Sequence, residues 1–164
     1  MPNLGQLTAL FRKLGASNPE VWASSQVSEG INQLGRFLFL RQAWKQVVDE
    51  TDHSWIQARI DQSSRQPGAP CSGVGPALQN LLAKGANPQD ITDVVRVMQY
   101  ELLYGLCYML ADPGLVEEEL KDISWGLIQF NEDGKAVDEI AGLHESVLET
   151  DPTGREMRPR ERRA

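Results

Sequence analysis

Residues 87–112 read NPQDITDVVRVMQYELLYGLCYMLAD and are followed by Pro113. Asn87 suits an N-cap, Pro88 suits the first helical position, and Asp90 and Asp93 put negative charge at the positive end of the helix dipole. Ile91, Val94 with Val95, Met98, Leu102, Gly105 with Leu106, and Met109 recur at three- to four-residue spacing, the period of a helix with an apolar face. Leu103, Tyr104, Cys107, Tyr108 and Leu110 occupy the other sides of the last turns, so this half is expected to be buried nearly all round. Gly105 and Cys107 are small, and a neighbouring helix is expected to cross there at close range. Asp112-Pro113 ends the run, because the residue before proline is driven out of the helical region. The predicted element is a helix over about 88–111, roughly 36 Å long at 1.5 Å per residue, at the centre of a bundle.

Working outward, Leu4, Leu7, Leu10 with Phe11, and Leu14 predict a short amphipathic helix ended by Gly15. Asn18-Pro19-Glu20 restarts the chain. This junction echoes Gly85-Ala86-Asn87-Pro88, which reads as repeated stop-and-start chemistry rather than an internal repeat, since nothing beyond it matches. A broad apolar face from Ile31 to Val48 predicts a second long helix, about 28–50, as the main partner of the central one. Thr51-Asp52 starts a further helix over 52–63. Residues 64–75 are loop by their prolines and glycines, and a helix follows over 76–84.

Beyond Pro113 come one or two acidic helical turns and then SWGLIQF at 124–130, which is apolar and aromatic and is followed by the turn residues NEDG. Strands are predicted at 125–130 and 135–140, and a last short helix at 142–149. The fold class is mainly α: a single helical bundle around the long helix, with a small C-terminal β-strand or hairpin (about 125–140) packed on it. Residues 1–151 are expected to form one helical domain. Residues 152–164 are rich in arginine and poor in apolar side chains, so they read as a mobile tail.

The chain has 164 residues and two cysteines, Cys71 and Cys107, enough length for one core and too few thiols for a disulfide framework or a four-cysteine zinc site. A reducing, cytoplasmic setting is expected, with no secretory signal, and the longest uncharged apolar run, 102–111, is half of the ~20 residues a membrane helix needs. Residues 1–111 carry nine basic and nine acidic groups, 112–151 carry two and twelve, and 152–164 carry five and two. The excess negative charge therefore falls in one segment, which argues against nucleic-acid binding. Asp90 and Asp93 likewise make residues 77–100 a poor recognition helix-turn-helix.

No catalytic or metal-binding signature emerges. Cys71 precedes a helix, but only His53 and His144 are available as bases. The glycines around it lack the lysine of a phosphate loop. His53 with Asp49, and His144 with Glu145 and Glu149, are incomplete ligand sets and read as structural or surface histidines. No cofactor is expected. Two surfaces remain. Glu117, Glu118 and Glu119, with Trp125 as an aromatic anchor, form a candidate docking patch for a basic protein partner. Tyr100, Tyr104 and Tyr108 share one helix face and could line a ligand cleft. The leading expectation is a non-enzymatic acidic interaction protein that binds a protein through its C-terminal third, in the manner of an inhibitor or immunity protein. The alternative is a small enzyme or ligand-binding protein with a tyrosine-lined cleft. Oligomeric state is left open.

Overall fold

The computed structural model describes residues 3–112 and 114–160. The chain is mainly α. Among the described residues there are six α-helices, α1 (Leu4–Leu14), α2 (Pro19–Glu29), α3 (Gln33–Ala43), α4 (Ser54–Arg65), α5 (Val74–Ala83) and α6 (Pro88–Ala111). They are joined by one antiparallel pair of strands, β1 (Ile128–Phe130) and β2 (Ala136–Glu139). Short 3-10 turns cover Trp44–Gln46, Glu118–Leu120 and Leu143–Ser146. Two compact units are distinguished: the described residues up to Lys45 with those from Leu102 onward, and Gln46–Glu101.

In the first unit, α1 opens on a reciprocal cap in which Asn3 and Gln6 each bond the other's main-chain N–H at 3.0 Å. It ends at Gly15, whose φ of 88° suits glycine. The predicted 28–50 helix is a correction. Gly30, at φ 71°, ends α2, and Asn32 caps a separate α3 by accepting from the Gly35 N–H at 2.9 Å. Leu7, Phe11, Trp22, Ala23 and Phe37 build the core of α1–α3. Phe37 meets Phe11 and Trp22 edge-on, with ring centroids 5.7 and 5.4 Å apart, an arrangement the ring quadrupoles favour. Buried Arg36 on α3 and buried Trp44 just beyond its end receive the 141–151 segment instead of the central helix. Arg36 Nε donates to the Ala141 carbonyl at 2.9 Å, and Trp44 Nε1 donates to Val147 O at 3.0 Å.

The hairpin follows from its turn. Asn131 Oδ1 accepts from the N–H groups of Asp133 and Lys135, Gly134 takes φ 72°, and Ile128 pairs with Glu139. Its strand residues are all exposed, and Asn32 Nδ2 ties it to the start of α3 by donating to Gln129 Oε1 at 2.8 Å.

In the second unit Ile56, Ile60, Leu78 and Ile91 form the core. Gly75 lets α5 approach α4 closely: a Cβ there would lie 2.4 Å from Ser63 Cβ, and its N–H donates to Ser63 Oγ at 3.2 Å.

Helix α6 lies where its caps predicted, but its expected burial is overturned. Of residues 102–111 only Cys107 is buried; Leu102 is 64 % exposed, and Leu106 and Met109 are 45 % exposed. No helix crosses at Gly105, where an added Cβ has nothing within 4 Å. Ile91, Thr92 and Arg96 are the buried side chains of the first half: Thr92 Oγ1 accepts from Trp55 Nε1 at 3.1 Å and lies 3.0 Å from His53 Nδ1, and Arg96 Nη1 donates to Val48 O at 2.8 Å. These bonds, costly to break once buried, hold the first half of the helix against residues 48–55. No helix among the described residues is long and apolar enough to cross a membrane.

Candidate functional site

Residues 114–141 contain no fully buried side chain. The segment leaves the end of α6 through a turn in which Asp112 Oδ1 accepts from the Gly114 N–H at 2.9 Å. Glu117, Glu118 and Glu119 stand exposed at and just before the 3-10 turn, and Glu118 pairs with Lys121. Trp125 donates its indole N–H to Met109 O at 2.7 Å and remains 44 % exposed. The carbonyl it caps is one of the last in α6 and has no partner within the helix. Trp125 is thereby held in one orientation with a broad face in solvent. Elsewhere in the same segment Val116, Ile123, Phe130 and Val137 are also exposed. The segment thus leaves both apolar side chains and carboxylates exposed along its length.

The tyrosines divide. Tyr104 and Tyr108 approach His144 edge-on, with ring centroids 6.2 and 4.9 Å apart, and His144 Nδ1 is buried with no hydrogen-bond partner. Tyr100, one turn earlier, is half-buried. Two clefts open elsewhere, and neither is lined by a tyrosine. One, of about 340 Å³, lies beside Cys71 between α4 and the 66–74 loop. The other, of about 400 Å³, lies between the end of α1, Arg41 and residues 149–154.

Cys71 is exposed and takes a positive φ of 66°, while Cys107 is buried and its thiol is pushed up to about 11 by desolvation. His53 pairs with Thr92, and Asp49 accepts instead from the Thr51 N–H and hydroxyl at 2.7 Å. Among the described residues no three His, Cys, Asp or Glu side chains converge as a metal site would need.

Several residues that shape the site carry no signal in the sequence. Arg36 reaches Glu145 and Ser146 as well as Ala141, and burial lowers its pKa against the opposing pull of Glu145, Glu29 and Glu149. Buried Asp151 accepts from the Thr153 N–H and hydroxyl and from the Met157 N–H, which ties residues 152–157 to the body of the unit. No protein-family model, curated protein or solved structure compared with this chain matches it.

Proposed function

We propose that this protein is a non-enzymatic binding protein that engages a basic protein partner through its acidic C-terminal third, acting as an inhibitor or immunity-type factor. The observation that carries the reading is that residues 114–141 leave Val116, Ile123, Trp125, Phe130 and Val137 in solvent among Glu117, Glu118 and Glu119. A segment with so little burial of its own gains most from an external surface that covers it. Cations on the partner would meet the glutamates at the rim, and an apolar pocket would take Trp125. Both ends of the protein's part are held in place, by the Met109 carbonyl and by Asn32, which lowers the ordering cost of binding.

The experiment is pull-down from the source cells, followed by kinetics on the recovered partner. Replacing Glu117, Glu118 and Glu119 by lysine should mainly slow association, and Trp125→Ala should mainly speed dissociation, at a cost of about 2 kcal/mol or more for a central aromatic anchor. Unchanged binding by both folded variants would overturn the reading.

A second reading rests on the partnerless His144 Nδ1 beside Tyr104 and Tyr108. A polar ligand donating to that nitrogen would satisfy it. Ligand binding that His144→Phe abolishes, with the fold intact, would favour this reading over the first.

A further inference from the structure

We propose that the cleft between the end of α1, Arg41 and residues 149–154 binds a small zwitterion, a free amino acid with an apolar side chain. The cleft holds about 400 Å³, within the roughly 300–1,000 Å³ of small-molecule sites. Every residue that lines it belongs to the first compact unit, and none lies in residues 114–141. Its parts come from three stretches of chain. Arg41 belongs to the last turn of α3, Glu149 follows the 143–146 turn, and Ser17 lies just beyond α1, while Leu14 and Phe37 supply apolar wall.

Arg41 and Glu149 carry opposite charges into the same cleft, yet among the described residues neither side chain makes a hydrogen bond or an ion pair. The field of Glu149 reaches Arg36, but no bond joins them. Two such charges in contact would close the cleft with a salt bridge; held apart, they offer a positive and a negative anchor to one space. A ligand with a carboxylate and an ammonium on the same carbon uses both. Its carboxylate accepts from the Arg41 guanidinium, whose planar fork matches it, and its ammonium donates to Glu149. The last carbonyls of α1, without N–H partners at a helix end, add to the pull on the ammonium. Leu14 and Phe37 cover the apolar side chain, which therefore gains from leaving water.

The walls are set before a ligand arrives. Phe37 is 6 % exposed and meets Phe11 and Trp22 edge-on. The opposing wall is held by buried Asp151, which accepts from the Thr153 and Met157 N–H groups, and by Thr150 Oγ1, which donates to Ser146 O at 2.9 Å. A site already ordered imposes little entropy cost, so a molecule of few atoms can bind it measurably.

Calorimetric titration of the full chain with L-phenylalanine, L-leucine and L-methionine in turn tests this. At least one should bind saturably with a Kd of about 1 mM or tighter. Phenethylamine keeps the ring and ammonium but lacks the carboxylate, and hydrocinnamate keeps the ring and carboxylate but lacks the ammonium; each should bind about tenfold or more weakly than phenylalanine, as the loss of one charged hydrogen bond implies. Arg41→Gln and Glu149→Gln, both at exposed positions, should keep the parent's melting temperature and lose binding by a similar factor. Amide shifts on addition of the amino acid should fall on residues 14–17, 41 and 149–154. Absence of saturable binding by all three amino acids overturns the proposal. So does equal binding of the amine or the acid alone, retention of binding by both folded variants, or a set of shifted amides elsewhere in the chain.

Discussion

A Cβ on Gly142 would lie 2.3 Å from Arg36 Nη2, so this glycine leaves the space in which the buried guanidinium sits. Gly142 also has a φ of 64°, where a side chain is strained. Gly142→Ala should destabilise the protein by about 1–3 kcal/mol through overpacking and backbone strain together. Chemical denaturation measures the loss, and hydrogen exchange should locate it in residues 141–151.

The cysteines should separate cleanly. Cys71 is exposed, whereas the Cys107 thiol is buried with its pKa pushed up to about 11. Near neutral pH an alkylating reagent should modify one thiol per native chain, at Cys71, and the second only on unfolding, because the thiolate is the reactive form. Mass spectrometry of the labelled peptides checks this; rapid native labelling of Cys107 would contradict the burial.

Where the chain announces its own boundaries, the sequence was readable. Asn87-Pro88 and Asp112-Pro113 located α6, and Asn131 to Gly134 located the hairpin turn. The break between α2 and α3 was also written in the chain, as Gly30 followed by Asn32, but the continuous apolar pattern on either side concealed it. The burial of α6 was hidden for a different reason. Periodicity identifies an apolar stripe but not which of its members find cover: Ile91 is buried, whereas Val94 and Met98 stay exposed near Thr92 and Arg96, whose partners lie some forty or fifty positions earlier. For the site, local spacing placed Tyr104 and Tyr108 on one face and the three glutamates on one turn. It gave no sign that His144 would join the tyrosines, or that Arg36 would reach Ala141 from 105 positions away. Such contacts depend on how elements pack, which one-dimensional spacing does not encode.

Asp49 should titrate below its ordinary value of 3.8, chiefly because the Thr51 hydroxyl and then its N–H bond the charged form, with Arg96 adding a smaller attraction. A carboxyl depressed in the folded state contributes stability that is present above its unfolded pKa and lost as pH falls through the folded one. This contribution should therefore be complete above about pH 4 and fade in more acidic solution. Thr51→Val removes the hydroxyl and should raise the Asp49 pKa toward 3.8, which carboxyl-carbon NMR titration reads directly. An unchanged titration would mean that the bond to Thr51 is not what holds Asp49 ionised.

Two glycines on different helices should respond to alanine with opposite signs. At Gly75 an added Cβ would lie 2.4 Å from Ser63 Cβ and 2.6 Å from its Oγ, so α4 and α5 must separate or Ser63 must move. Gly75→Ala should cost roughly 1–3 kcal/mol, the usual range for overpacking. Gly105 is also inside a helix, but nothing lies within 4 Å of its added Cβ. There the substitution only restricts the unfolded chain and improves helix propensity, a gain of about 0.5–1 kcal/mol. Urea unfolding compares the two. Ser63→Gly combined with Gly75→Ala supplies the control: removing the colliding side chain should recover part of the loss, and the two changes should be non-additive because their atoms touch. Equal destabilisation at both glycines would mean that the second half of α6 is packed after all.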